Sequence, residues 1–373
     1  AHRSVDRTAA GLGSGGRGWR RVFGPLTERF DTISEEFLQP VLHVPRHPIH
    51  LARFGAYAGL PATLLSRRFR SAEAQALFAG VAAHALRPLG TPVSSAIGVA
   101  LTTAAHRYGW PVAEGGSASI RDAILRRAKE HGVTWETGRR VGSLDQLGRV
   151  DIVMLDTAPA AAATIMGDRL PARVRRAYRR YRHGPGVFKM EFAVAEGVPW
   201  AFEGARAAGT VHLGGPLSEM VAAERAVCAG RMPDKPFVLV GQQSVADRTR
   251  ATDDAHPLYA YAHVPAGYQG DAREAIVRRI EEFAPGFRER ILATHVRSTA
   301  EMAAHNENYV GGDVVTGAND PLQLVFRPRA TLRPYSTGAR GVYLCSAATP
   351  PGAGAHGMCG YNAALAALKD LDR

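Results

Sequence analysis

The sequence contains little cysteine, little lysine and no long apolar run. Its 373 residues include only Cys228, Cys345 and Cys359 as cysteines, too few and too scattered for a disulfide framework or a zinc site. A reducing, cytoplasmic location is therefore expected. No uninterrupted apolar run reaches the roughly 18 residues that a membrane-spanning helix needs. The sequence does not begin with Met, and no charged-then-apolar signal segment opens it.

The formal net charge is +12, and arginine supplies nearly all of the positive charge because only four of the 46 basic residues are lysines. The densest basic stretch is RLPARVRRAYRRYRHG (169–184). It is most simply a helix with a solvated arginine face, with an anionic membrane surface or a nucleic acid as the alternative contacts. Aromatic stacking platforms and RNA-binding signatures are absent, so no nucleic-acid partner is predicted.

Four regions of the sequence differ in their patterns. Residues 1–108 read as apolar, alanine-rich helices, which predict either burial or contact with lipid or a hydrophobic substrate. Residues 109–165 combine a glycine loop, an amphipathic helix and strands. Residues 166–334 are mostly strands with one helix, and residues 335–373 are a strand, a glycine turn and a helix. This order predicts an α/β fold with a second domain built on an antiparallel sheet (α+β).

The region 109–165 has a more specific pattern. Ser117 is the expected N-cap of its helix. A strand that ends in GRRV (138–141) is expected next, followed by a second strand in VDIVMLDTAP (150–159). The apolar stripe of the helix is predicted to consist of Ile120, Ile124, Leu125 and Ala128.

Two segments match the dinucleotide-binding pattern G-x-G-x-x-G. The first contains Gly11, Gly13 and Gly16 and follows a stretch of helix-like composition rather than a strand. Because the pattern binds phosphate only between a strand and a helix, we interpret this match as a surface turn.

The second match joins a strand-like run (342–345) to a helix-like run (358–368), which is the context that the pattern requires. The free amides and the macrodipole at such a helix N-terminus favour a negative or electron-rich group. Too few residues follow for the further strand and acidic residue that hold a ribose. The segment therefore predicts one edge of a site that other residues complete. Its glycines are Gly352, Gly354 and Gly357.

The run SAATPPGAGAHGM (346–358) closely resembles the C-terminal flavin segment of phytoene desaturase-like (phytoene dehydrogenase-related) FAD-dependent oxidoreductases. The segments WPVAEGGSASIRDAI, GRRV with VDIVMLDTAP, and 306–345 resemble other parts of that family in the same order. The resemblance implies an FAD/NAD(P)-binding, Rossmann-like domain of the glutathione-reductase/amine-oxidase type, with an antiparallel-sheet substrate domain and a helical region. The family's N-terminal βαβ unit has no counterpart here, so we expect the FAD-binding domain of this sequence to be incomplete at its N-terminus.

The resemblance also implies the residues of an FAD site. The Met358 amide would face the pyrimidine side of the flavin, where negative charge gathers on reduction. Val141 would contact the adenine through its backbone, and Ser346 would replace the acidic residue that commonly binds the ribityl chain. The implied cofactor-binding set is Val141, Gly115, Gly116, Ser346, Ala347, Gly352, Gly354, Gly357 and Met358.

Two residues are candidates for a catalytic role. His356 lies in the implied flavin turn, where it would position substrate, relay a proton or simply form a local hydrogen bond. Lys189 stands in an apolar strand context and faces either the site or the outside. His263 has the same two interpretations. Cys345 and Cys359 are interpreted as packing residues, and no metal-ligand spacing is present.

The implied activity is removal of a hydride from an unactivated C–C position of a hydrophobic, polyene or lipid-like substrate onto flavin N5. Such chemistry requires a dry apolar pocket more than a strong acid–base pair, and the substrate could reach it from a membrane surface. The alternatives are an amine-oxidase-like flavoenzyme and a non-catalytic basic scaffold or nucleic-acid-binding fragment without flavin.

Overall fold

The computed structural model describes residues 1–252 and 254–372. Its first part, up to Tyr108, is built from helices packed around aromatic side chains. Trp19 lies 4.5 Å from Phe23 and 5.3 Å from Phe69 between ring centroids, and its indole N–H donates to His106 Nε2 at 2.9 Å. Such aromatic pairs contribute about 0.5–1.5 kcal/mol each beyond their burial. The helices are Val5–Ala10 (α1), Gly16–Glu28 (α2), Phe30–Phe37 (α3), Pro48–Ala58 (α4), Ala62–Ser66 (α5), Ala72–Ala82 (α6) and Ser95–Tyr108 (α7).

The first glycine match lies between α1 and α2. As predicted, a helix and not a strand precedes it. The interpretation as a surface turn holds for Gly11 and Gly13, which are exposed, whereas Gly16 and the neighbouring Gly15 are buried. A Cβ atom on Gly16 would lie 2.1 Å from the carbonyl oxygen of Ala9, so glycine is needed here for two helices to approach closely.

Seven strands form two separate sheets in the described residues. Five strands make an antiparallel sheet in the order β3-β4-β5-β2-β6, and the other two, β1 and β7, pair in parallel. The strands are Val153–Leu155 (β1), Gly186–Val194 (β2), Thr210–Leu213 (β3), Val238–Gly241 (β4), His256–Val264 (β5), Ile291–Arg297 (β6) and Val342–Leu344 (β7).

The antiparallel sheet is covered on both faces. Alternation along β2 buries Phe188, Met190 and Phe192 on one face, which shares a core with the helix 273–281. On the opposite face, Leu239 and the half-buried Tyr261 pack against the helices of the first region. The antiparallel sheet itself was predicted, whereas β6 and the helix 217–228 were not.

In the part of the chain that the structure describes, ten further α-helices connect the strands or flank them. The predicted basic helix forms at 172–179, where Val174 and Tyr178 are buried and the side chains of Arg173 and Arg176 are exposed, as a solvated arginine face requires. The helices are Ser117–Glu130 (α8), Pro159–Met166 (α9), Ala172–Arg179 (α10), Glu203–Arg206 (α11), Leu217–Cys228 (α12), Gln243–Ala246 (α13), Arg273–Glu281 (α14), Thr299–His305 (α15), Pro321–Val325 (α16) and Met358–Leu371 (α17). None of the described helices is both long and apolar enough to cross a membrane.

Helix α8 forms where it was predicted, but its surroundings differ from the prediction. Gly116 and not Ser117 is the N-cap, and no α8 side chain is buried. Ile120 is 53% and Ile124 is 63% exposed, so the described residues leave the apolar stripe uncovered. The strand predicted to end at Val141 is absent, because no described strand pairs with this stretch.

The parallel pair β1–β7 positions the C-terminal glycine turn. Val153 pairs with Val342 and Leu155 with Leu344. Because both strands run in the same direction, their carboxyl ends meet at one edge, and the segments that follow them lie side by side. Such an edge is where open α/β sheets bind ligands.

Candidate functional site

The glycine turn lies between the end of β7 and the start of α17, as the sequence predicts. Gly352 has φ +105° and Gly357 has φ +65°, backbone conformations that favour glycine. Gly354 and Gly357 are exposed, and a Cβ atom on Gly357 would meet nothing within 4 Å. The tip of the turn at Gly354 and Gly357 therefore faces open space, whereas Gly352 at its start is buried.

The start of the turn is tied to the end of β1. The Cys345 amide donates to the carbonyl of Leu155 at 3.0 Å, and the Ser346 hydroxyl donates to the carbonyl of Thr157 at 2.7 Å. The Ser346 oxygen also accepts from the Ala348 amide at 3.3 Å, and Ser346 is 2% exposed. Ser346 thus joins the two strand ends, and its hydroxyl has internal partners for both donation and acceptance. Ala347, beside it, is half-buried.

An acidic side chain that the sequence analysis did not identify lies at this edge. Asp156 follows directly after β1, and its side chain is solvent-accessible. Surrounding protein nevertheless removes part of its hydration and raises the pKa of the carboxyl group. Burial, with a smaller contribution from the Asp156 charge, raises the pKa of the neighbouring Cys345 thiol to about 12. The sequence carried only part of the signal, since a carboxylate right after an apolar strand falls at the ligand edge of a sheet only when that strand pairs in parallel with another.

His356 interacts with the first amide of α17. The Met358 N–H donates to His356 Nδ1 at 3.0 Å, so this ring nitrogen is an unprotonated acceptor. Partial burial lowers the pKa of the imidazole. A neutral His356 therefore caps the helix and fixes the turn, which agrees with the local hydrogen bond expected in one of its two interpretations.

Two of the implied FAD-contacting glycines, Gly115 and Gly116, lie beside Asp247 and Arg250. The Gly115 amide donates to Asp247 Oδ2 at 3.3 Å, and a Cβ on Gly116 would lie 2.6 Å from the Arg250 guanidinium. Val141 is half-buried in an irregular stretch. Their cofactor contacts stay predictions.

Lys189 and His263 lie on the antiparallel sheet, apart from the turn. Lys189 Nζ pairs with Glu191 Oε1 at 2.7 Å and lies 5.5 Å from the ring centroid of Tyr259. The fully buried His263 bonds through Nδ1 to Glu224 Oε1 at 2.7 Å. Both side chains have protein partners on the sheet face that packs against the helical region.

A pair of interior histidines lies on the same face. His84 Nε2 is 3.1 Å from His212 Nε2, and the two side chains lie between the end of α6 and strand β3. Burial, with a smaller contribution from the His263 charge, lowers the pKa of His84 to about 4. Burial also lowers the pKa of His212. The native state therefore holds both imidazoles neutral.

These histidines predict acid sensitivity. A pKa that is lower in the folded state than its ordinary value of 6.5 contributes stability that is present above about pH 6.5 and is lost as the pH falls toward 4. We expect the free energy of unfolding in urea to fall by roughly 2–3 kcal/mol over this range on account of His84. The His84→Gln variant should lose part of this pH dependence, whereas His131→Gln, at an exposed position, should keep all of it. Equal pH profiles for the two variants would contradict the assignment.

A cavity beside the antiparallel sheet has walls that do not include the glycine turn. It has a volume of about 850 Å³, and none of its lining residues belongs to residues 346–358. Its walls come from the ends of β2, β4 and β5 and include Arg206, Arg248 and Arg290. Among the described residues, no group of three or more His, Cys, Asp or Glu side chains could hold a metal ion.

Comparison with known proteins places the fold. No protein-family model matches the sequence. Mouse pyridine nucleotide-disulfide oxidoreductase domain-containing protein 2 is 34% identical over 93 residues, which are 25% of this chain and 16% of the mouse protein. The rat protein of the same name is 33% identical over the same length. The match thus spans about a sixth of the length of these relatives.

Solved structures extend the likeness over nearly the whole chain. An oxidoreductase from Methanosarcina mazei superimposes with a TM-score of 0.50 at 14% identity. The match covers 91% of this chain and 75% of the Methanosarcina chain. Wild-type putrescine oxidase bound to putrescine superimposes with a TM-score of 0.51 at 13% identity, and the match covers 95% of this chain and 75% of the putrescine oxidase chain. The predicted fold class, α/β of the amine-oxidase type with parallel and antiparallel sheets, is confirmed.

Proposed function

We propose that the protein is a flavin-dependent oxidoreductase and that the glycine turn 346–358 contacts the flavin ring. The observation that carries the proposal is the open turn between the carboxyl end of a parallel strand and the N-terminus of a helix. The turn presents backbone rather than side-chain bulk at Gly354 and Gly357. The first-turn amides of α17 beyond Met358 have no partner within the helix and favour an electron-rich group.

The described residues fit the ring of a flavin better than its phosphates. At the tip of the glycine turn, beside the start of α17, Gly354 and Gly357 leave an exposed edge without side-chain bulk. In the described residues, the only glycine turn that follows a parallel strand is this one. The resemblance of the sequence to phytoene desaturase-like oxidoreductases implies that the flavin is FAD. Residues other than this turn would then hold the pyrophosphate and adenosine of FAD.

The reaction that we propose is a two-electron oxidation. A flavin held against the glycine turn would supply the acceptor for the two electrons that leave the substrate as a hydride, and an external electron acceptor such as oxygen, quinone or nicotinamide would be needed to complete the turnover. His356 keeps the turn in place by accepting the Met358 amide proton. Ser346 joins the turn to β1, and Gly352 and Gly354 give it the backbone conformation it needs.

For the substrate of this oxidation, we propose a hydrophobic molecule. This proposal rests on the resemblance to phytoene desaturase-like enzymes and on the absence of a strong acid–base pair at the turn, where the described groups are a neutral His356 and the single carboxylate of Asp156. Neither relative named above is described as a phytoene desaturase, so a polyene substrate and contact with a membrane surface depend on the sequence resemblance.

An amine is the second candidate substrate class. The fold likeness to putrescine oxidase favours it, and the accessible Asp156 carboxylate could bind a cationic amine. Flavin reduction under anaerobic conditions by putrescine, compared with reduction by a carotenoid precursor in detergent, separates the two classes. If Asp156 binds an amine, the Asp156→Asn variant should lose reduction by the amine and keep its flavin.

The proposed function predicts that the purified protein is yellow. We expect flavin absorbance that dithionite bleaches and air restores, with the flavin released as FAD on denaturation. A colourless protein that takes up no added FAD would contradict the proposal. If that protein also bound nucleic acid with an affinity that falls steeply with salt, the basic-scaffold alternative would be supported.

A further inference from the structure

Two arginines are buried behind the glycine turn. Arg327 is 1% and Arg87 is 8% exposed. Both converge on Asn319: Arg327 Nη2 donates to its side-chain oxygen at 3.3 Å, and Arg87 Nη1 donates to its carbonyl at 2.7 Å. Arg327 Nη1 also donates to the carbonyl of Ala347 at 3.2 Å, inside the segment that we assign to the flavin.

The positive charges of these guanidinium groups are not compensated by an ion pair. Their hydrogen-bond partners are neutral oxygens, and within the described residues no carboxylate lies within 4 Å of either group. The Nε atoms of Arg87 and Arg327 are buried without a partner. The nearby carboxylates have other partners: Asp313 accepts from the amides of Gly184 and Gly317, and Asp320 pairs with Arg182.

An uncompensated buried charge is costly, since the effective penalty is several kcal/mol per ion. A protein retains such a charge where a negatively charged group, such as a bound ligand, lies close enough to offset this cost. Arg327 is placed for that, because a Cβ atom on Gly352 would lie only 2.3 Å from its Nη1. The guanidinium therefore lies directly against the backbone of the turn at Gly352. The hydrogen bonds of Arg87 go to Asn319 and Thr91, and none goes to residues 346–358 in the described structure.

We infer that Arg327 supplies the positive charge that stabilises the electron-rich, reduced form of the flavin ring through the turn. The inference rests on the proposed function and adds to it a residue that sets the reduction potential. Arg327 acts here by its charge, at a distance, and does not take part in bond making. The side-chain oxygen of Asn319 holds the Arg327 guanidinium in position. Arg87 donates to the main-chain carbonyl of the same Asn319.

The test compares the reduction potentials of bound FAD in four proteins, by dithionite titration against a reference dye. Arg327→Gln should lower the ratio of affinities for reduced over oxidised FAD at least tenfold, which for a two-electron couple is about 30 mV. Arg327→Lys, which keeps the charge, should recover most of the potential. Arg87→Gln is the matched control, because it removes the other buried guanidinium on Asn319, and its ratio should stay within threefold of wild type.

A second variant decides the matter if Arg327→Gln does not fold. Asn319→Asp keeps both arginines but places a carboxylate at hydrogen-bond distance from Arg327, so it should lower the potential in the same direction. An unchanged potential in folded Arg327→Gln, or in Asn319→Asp when the former is unfolded, overturns the inference and leaves the proposed function intact. Wild-type protein that binds no FAD overturns both.

Discussion

Replacing Gly352 by alanine is expected to weaken FAD binding at least a hundredfold. The new Cβ would lie 2.3 Å from Arg327 Nη1, and that guanidinium is fully buried and bonded to Ala347 and Asn319, so it cannot move aside. The backbone φ of +105° adds strain of about 1–3 kcal/mol. The turn must therefore shift. The measurement is FAD affinity by quenching of flavin fluorescence.

The control for this variant is Gly338→Ala. Gly338 also has a positive φ, +83°, and lies shortly before β7, but a Cβ there would make only ordinary contacts, the closest at 3.4 Å to Pro171. Its backbone strain is comparable and its steric overlap is absent, so a modest loss of stability without loss of FAD binding is expected. Equal FAD affinities in the two variants would show that the turn at 352 does not contact the cofactor.

Asp313→Ala is expected to lower the free energy of unfolding by about 3–5 kcal/mol. The carboxylate is completely buried, and it accepts from the amides of Gly184 and Gly317 at 2.8 Å and of Val315 at 3.0 Å. Each buried donor left without a partner costs about 1–3 kcal/mol. Urea unfolding followed by the fluorescence of the buried Trp19 and Trp200 measures the loss.

Asp313→Asn is the matched control because it keeps the shape and one acceptor oxygen. It should lose roughly half as much stability as the alanine variant. If Asp313→Ala unfolds within 1 kcal/mol of wild type, the carboxylate does not hold the segments 184–186 and 313–317 together as described.

Strands were predictable where the burial pattern is local. Alternation along Gly186–Val194 follows from side chains on opposite faces of one pleated strand, and the structure has the strand at those bounds. Strand β6 was missed because its residues are mostly exposed, as on an edge strand, and gave no alternation of buried positions. Periodicity in α8 predicted the helix, but periodicity does not say whether a neighbour covers the apolar stripe.

The candidate site was predictable only in part. The glycine turn was found because its strand and helix are adjacent in sequence. Arg327 was not found, since an arginine in a basic sequence gives no sign of burial, and its burial depends on contacts with Asn319 and Ala347 that the fold creates. Asp156 was overlooked because its place at the ligand edge depends on β1 pairing in parallel with β7, a contact between distant parts of the chain.

Hydrogen–deuterium exchange with and without FAD tests the assignment of the flavin turn most directly. Added FAD should slow amide exchange in peptides that cover 351–361, at the turn and the first turn of α17. It should leave peptides from the wall of the arginine-lined cavity, such as 194–199, unchanged. Protection confined to that cavity, with unchanged exchange at 351–361, would contradict the account.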